Sequence, residues 1–126
     1  MLVVDRISIG KRGEEAAKSA LEEMGFEILE RNWRFGHKEI DIIAASEDGI
    51  RFVEVRSRVE PVLLEPELTV GSVKKEKLVS AARAYMRMNR ITCEAFFDIV
   101  AVTFSPQGVT VDYFPDAFIP FNRMFI

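Results

Sequence analysis

One cysteine and one histidine occur in 126 residues, and each scarcity removes a class of chemistry. A lone Cys93 cannot close an intramolecular disulfide or supply a CxxC metal site; this suits a reducing compartment and makes the cytoplasm the expected location. His37 has no second His or Cys at ligand spacing, so a zinc centre is not expected. An exposed loop histidine is, with substrate contact as the alternative because Asp41 is close in sequence. The chain has no Gly-rich phosphate loop, no Ser/His/Asp constellation, no internal repeat and no low-complexity tract. No apolar run approaches the ~20 residues of a membrane span, and the opening MLVVDRISIGKR lacks the apolar core of a signal peptide, so neither insertion nor secretion is expected. Excess positive charge is missing as well. Seventeen Lys and Arg against twenty Asp and Glu give a net charge of −3, which counts against avid non-specific binding to phosphates.

What is present suffices for one folded unit. A hydrophobic content of 48% with 29% charged residues fits a single domain over residues 1–126 with a hydrophobic core. The positive residues are unevenly placed: Arg56, Arg58, Lys74, Lys75, Lys77, Arg83, Arg87 and Arg90 fall mid-chain, where a local basic surface can form. Taken singly, Lys75, Lys77 and Arg83 fit a solvated helix face.

The organising stretch is 39–58, EIDIIAASEDGIRFVEVRSR. Two apolar runs flank Ser46, Glu47, Asp48 and Gly49, and Asp-Gly between such runs predicts a β-hairpin. A two-residue Asp48-Gly49 loop sets Asp41 opposite Arg56; a four-residue loop sets it opposite Glu54. Either register puts Asp41, Glu54 and Arg56 on one face. Two carboxylates ~5–8 Å apart on an apolar sheet repel each other and call for a cation. The candidates are a divalent metal ion or the permanently charged guanidinium of Arg56.

Around this hairpin, 8–24 has the three-to-four apolar spacing of a helix, with Gly25 as its C-terminal cap. Glu14 and Glu15 are expected in its first turns, where negative charge suits the dipole, with Glu14 able to project from the sheet-packing face. The run 26–34 alternates as a first strand, with Phe26, Ile28 and Glu30 on one side. Residues 59–72, holding Pro61, Pro66 and Gly71, form a long connection; a short edge strand at 66–70 is not counted. A second helix spans 73–88 with Ser72 as N-cap and Lys74 in its first turn, a cation opposing the dipole. AFFDIVAVTF (95–104) is too apolar for a half-exposed strand and reads as central and covered on both sides. Its Asp98 is expected to cap backbone groups or pair with a cation. A last strand follows at 109–114. The tail 115–126, with Phe118, Phe121 and Phe125, is expected to cover the sheet edge, or alternatively to make a homodimer contact. The predicted order is α-β-β-β-α-β-β, with 119–126 as an aromatic C-terminal tail.

Asp41 followed by Glu54-Val55-Arg56 resembles the PD-D/ExK signature of the restriction-endonuclease-like superfamily. The wider series is similar to the YraN family of uncharacterised bacterial proteins, which resemble archaeal Holliday junction resolvases. It runs through Gly10, Gly13, Glu14 and Ala17, then Glu30 to Arg34, Glu39 to Asp41, Ile43 to Ala44 and Phe52 to Val55. It continues with Arg58, Lys74, Leu78, Ala82, Tyr85, Phe97, Asp98, Ala117 and Phe118. The resemblance implies a restriction-endonuclease-like α/β fold, a central mixed sheet of about five strands flanked by helices. It implies Glu14, Asp41 and Glu54 as ligands of Mg²⁺ or Mn²⁺, and a lysine at position 56. This chain has Arg56 there, Lys38 in place of a glycine and Phe96 in place of an arginine. Arginine cannot serve as a general base near neutral pH but can stabilise transition-state charge; Lys74 or Lys38 can supply an ammonium. Three functions follow as expectations: a metal-dependent nuclease on structured or branched DNA, a non-cleaving nucleic-acid-binding protein with a degenerate site, or a protein-interaction module. In the first, Asp41, Glu54 and Arg56 carry catalysis and Arg56, Arg58, Lys74 and Lys38 hold substrate.

Overall fold

The strand and helix periodicities resolve into α1 (Arg6–Glu23), β1 (Glu27–Phe35), β2 (Lys38–Ser46), β3 (Gly49–Val59), α2 (Ser72–Met88), β4 (Ala95–Ser105) and β5 (Gly108–Phe114) in a computed structural model that describes residues 6–60 and 71–118. The order is the one read from the sequence. The strands form one mixed sheet, β1-β2-β3-β4-β5. Only β3 and β4 run parallel, because the chain between them includes α2 and returns to start the next strand from the same end. No helix among the described residues is long and apolar enough to cross a membrane.

A helix packs on each face. On one, Ile43, Phe52, Phe97 and Ile99 pack with Leu78, Ala82 and Tyr85 of α2; on the other, Ile42, Val53, Val100 and Val102 pack with Ala17 and Leu21 of α1. β4 therefore contributes alternate residues to both cores, as its continuous apolar run predicted. Burying each such side chain is worth roughly 1.5–3 kcal/mol of transfer free energy. Gly13 brings α1 close to β3: a Cβ there would overlap the Ser57 hydroxyl and stand 2.8 Å from Ser57 Cβ. The next residue, Glu14, is half-buried and lines a cavity with Val55 and Ser57 of β3.

Several local expectations are corrected. α1 begins at Arg6, not Ser8, and has no acid in its first turn. The dipole thus does not explain Glu14 or Glu15; Glu15 instead pairs with Arg31 at 2.9 Å and Lys18 at 3.8 Å. The end of α1 is as expected: Gly25 takes φ +95, and its N–H and that of Phe26 donate to the carbonyls of Glu22 and Leu21, a Schellman closure. α2 starts at Ser72, with Gly71 rather than Ser72 as N-cap and no side-chain cap. In β1 the register shifts between Ile28 and Glu30, a bulge that ends the expected alternation. Ile28 joins the α1-side core, whereas Glu30 accepts from the Tyr85 hydroxyl of α2 at 3.3 Å. Phe118 does more than cover an edge. Ala117 N–H donates to the Phe97 carbonyl, and the Phe118 ring lies 5.1 Å from that of Phe97, inside the α2-side core. Phe121, Phe125 and the segment 66–70, for which the sequence raised expectations, lie outside the described residues.

Asp98 is structural, as read from the sequence. It is 1% exposed and accepts from Arg51 Nη1 at 3.2 Å, Tyr113 Oη at 2.6 Å and Asp116 N at 2.8 Å. Arg51 also stacks 4.0 Å above the Phe96 ring. Burial, then the bond to Asp98, holds the Tyr113 hydroxyl protonated well above the usual tyrosine range. Asp98→Ala removes the buried anion and leaves the Arg51 guanidinium only the exposed Asp48 carboxylate, 3.3 Å from Nη2, at a cost of about 3 kcal/mol, the low end for breaking a buried pair. Urea unfolding should show a loss of that order; a midpoint within error of wild type would contradict the assignment.

Candidate active site at the β2–β3 divergence

The site begins with an interruption in β2. In a regular strand Ile40 and Ile42 would face the same way, yet Ile40 belongs to the α2-side core and Ile42 to the α1-side core. The alternation inverts at Asp41. On the neighbouring strand Asn32 takes φ +51, in the gap of the ladder between Arg31↔Ile42 and Trp33↔Ile40. On the other side the β2–β3 ladder runs from Ser46↔Gly49 to Ile42↔Val53. β3 continues alongside β4 to Val59↔Phe104. β2 therefore leaves β3 at Asp41, and Asp41 Oδ2 takes the Val55 N–H at 2.8 Å, satisfying a donor that would otherwise be buried without a partner.

The hairpin register selects between the two arrangements read from the sequence. The turn is Glu47-Asp48, with Gly49 already paired to Ser46. Asp-Gly is thus not the central pair. Gly49 has φ +150, and a Cβ there would collide with the Glu94 carbonyl, which accepts from Ile50 N. This register sets Asp41 level with Glu54, one step beyond the last ladder pair, rather than with Arg56.

Asp41 lines cavities on both sides of the divergence. The larger, about 760 Å³, is shared with Glu54, Glu39, His37, Lys38, Lys74 and Lys77. The other, about 520 Å³, is shared with Gly10, Glu14, Ser57 and Arg58. Asp41 and Glu54 thus face one space, while Glu14 stands on the wall of the second. Among the described residues no group of three His, Cys, Asp or Glu side chains is placed to hold a metal ion.

Charge is poorly balanced here. Burial pushes the Asp41 carboxyl up to about 6; the Val55 N–H opposes this, and the carboxylates of Glu14, Glu54 and Glu39 add to it. Glu54 is 5% exposed. Its Oε1 is ion-paired with the Lys74 ammonium, and Oε2 lies 3.7 Å from Arg56 Nη2 but accepts no hydrogen bond among the described residues. A half-buried carboxylate held against ionisation, beside a buried one with an unsatisfied oxygen, fits a divalent cation. Mg²⁺ commonly takes only one or two protein carboxylates and fills the rest of its shell with water, so Asp41 and Glu54 are a sufficient pair.

The other residues singled out from the sequence are placed as follows. Arg56 is half-buried beside Glu54. Lys38 donates to Ser80 Oγ at 2.8 Å while lining the larger cavity. Arg58 donates Nε to Thr103 Oγ1 at 2.8 Å, and its buried Nη1 has no hydrogen-bond partner among the described residues. His37 is exposed, as expected. Lys77 is exposed, as its place on a solvated helix face predicts, and it also lines the larger cavity with Lys74, a role not expected from the sequence. Their i,i+3 spacing on one helix was the available signal.

A five-stranded mixed sheet in this order, flanked by helices, is the restriction-endonuclease-like fold that the sequence resemblance implies. The Archaeoglobus fulgidus Hjc, a Holliday junction resolvase from an archaeal hyperthermophile, superposes with a TM-score of 0.50 over 84% of this chain and 76% of that one, at 20% identity. The chain belongs to the uncharacterised protein family UPF0102, whose profile matches residues 13–102, in agreement with the YraN resemblance. Similar relatives include the UPF0102 proteins of Bacteroides thetaiotaomicron, 41% identical over 89% of this chain and 93% of that one, and of Syntrophus aciditrophicus, 39% identical over 92% of each.

The raised Asp41 value fixes the sign of a pH effect. Between its ordinary value of 3.8 and about 6 the folded state holds a proton that the unfolded state releases, so this group's contribution to stability falls as pH rises through that window. At neutral pH the ionised carboxylate costs on the order of 2 kcal/mol after allowance for solvent screening. Asp41→Asn keeps an acceptor for Val55 N–H and removes the charge. In metal-free buffer, denaturant unfolding should find the variant more stable at pH 7.5 and equal to wild type near pH 4; a constant difference across that range would contradict the assignment.

Proposed function

We propose that the Asp41–Glu54 cavity is the active site of a Mg²⁺- or Mn²⁺-dependent endonuclease acting on structured or branched DNA. The observation that carries this reading is the meeting of two carboxylates at a strand divergence, with Asp41 held against ionisation and one oxygen of buried Glu54 without a hydrogen bond. Asp41 and Glu54 would hold the ion, with Glu14 approaching Asp41 from the second cavity. A bound ion would supply charge neutralisation at the phosphate and acidify a water molecule.

The chain's own groups would do the rest. Arg56, half-buried and beside Glu54, cannot take a proton from water but can hold negative charge as it grows on the phosphoryl oxygens. Lys38, Lys74 and Lys77 line the larger cavity at the N-terminal end of α2, whose first turn has no acidic residue and no side-chain cap. Positive side chains at the N-terminal turn of a helix suit a phosphate backbone. Arg58, from the second cavity, is a further phosphate contact. The structural neighbour's description as a Holliday junction resolvase suggests branched DNA as the substrate class.

A second reading is a protein that binds such DNA without cutting it. It is favoured by the Lys74 ammonium already paired with Glu54 and by arginine at position 56. Incubating wild type and Glu54→Ala with labelled four-way junction, flap and single-stranded DNA in Mn²⁺ separates the two. The nuclease should cut at least one of these, with the variant slower by about 100-fold or more, since transition-state charge stabilisation is lost. Binding without cleavage supports the second reading, and equal cleavage by both proteins overturns the site.

A further inference from the structure

Lys74 occupies an unusual place in the charge pattern of the larger cavity. Its side chain is 58% exposed, yet its ammonium meets Oε1 of a glutamate that is only 5% exposed. A buried carboxylate needs a cation, and here an ammonium is supplied by a surface lysine on a neighbouring helix. That lysine stands in the first turn of α2, where the dipole disfavours positive charge, so what retains it there is the carboxylate. The same cavity also holds Asp41, and Lys38 and Lys77 lie on its wall.

We propose that Lys74 is an exchangeable counter-ion: it neutralises Glu54 while no divalent ion is bound, is displaced when one binds, and then carries its charge to a substrate phosphate at the same cavity. This rests on the nuclease-type site proposed above and deepens it by making ion binding and DNA binding favour one another through one side chain. Ammonium and metal ion compete for the same carboxylate. The ion removes the partner that holds Lys74 inward, and a flexible four-carbon stem with high exposure lets the ammonium move outward. Phosphate contact in turn holds the ammonium away from Glu54, so DNA strengthens ion binding by the same factor, as linkage requires.

Two measurements on the full chain test it. Titration calorimetry with Mn²⁺ alone should find Lys74→Gln binding the ion about three- to ten-fold more tightly than wild type, the worth of one partly exposed ion pair. Lys74→Arg should bind like wild type. So should Lys75→Gln, the same change of charge one residue along. Fluorescence anisotropy with a labelled four-way DNA junction should show Ca²⁺ tightening wild-type binding, and Lys74→Gln should keep only the smaller part of that gain that the ion's own charge supplies at the phosphate. Unchanged or weaker Mn²⁺ binding by Lys74→Gln, equal tightening in Lys75→Gln, or a Ca²⁺ gain as large in Lys74→Gln as in wild type overturns the exchange while leaving the metal site standing. No Mn²⁺ binding by any of the proteins overturns the metal site as well.

Discussion

The parting of β2 from β3 at Asp41 is the constraint on which the rest of the site depends. A strand that continued its pairing would alternate regularly and commit Asp41 to one face, but Ile40 and Ile42 enter opposite cores and the ladder stops at Ile42↔Val53. The backbone donor exposed by this departure, Val55 N–H, is taken by Asp41 itself. One carboxylate thus both stabilises the opening and lines the cavities on either side of it. The divergence needs firm surroundings, which the two covered faces of β4 and the buried Arg51–Asp98–Tyr113 cluster provide.

The opening places negative groups where water screens them poorly. Asp41 responds by retaining its proton to higher pH, and Glu54 by drawing in Lys74, with Arg56 nearby. These are alternative ways of meeting one demand for positive charge, and the proposed divalent ion would meet it at both carboxylates together. The proposed function and the proposed exchange at Lys74 follow from the same imbalance. The fold alone would not imply either, since a nuclease-type sheet can carry other functions.

Much of this was legible in the sequence because it depends on local patterns. Continuous apolar character identified β4 as doubly covered, and Asp98 within it as a structural acceptor. Period two put Asp41 and Glu54 within reach of each other, and the Schellman closure at Gly25 followed from one residue. What escaped depends on exceptions to those periods. The bulge after Ile28 and the inversion at Asp41 cannot be found by assuming alternation, although Asn32 is a residue type that tolerates the φ +51 it adopts. The register turned on whether Asp48-Gly49 formed the centre of the turn, and the close approach of Gly49 to Glu94 decided it from another part of the chain. Lys74 and Glu54 are twenty residues apart on different elements, so their pairing required tertiary structure.

The central claim is that Asp41 and Glu54 together hold one divalent ion. Anomalous diffraction from crystals soaked in Mn²⁺ tests it most directly. A peak in the larger cavity bonded to oxygens of both carboxylates, with the Lys74 ammonium moved off Glu54, is the predicted result. Well-ordered carboxylates with no anomalous peak between them, and Lys74 still seated on Glu54 at saturating Mn²⁺, would contradict the account.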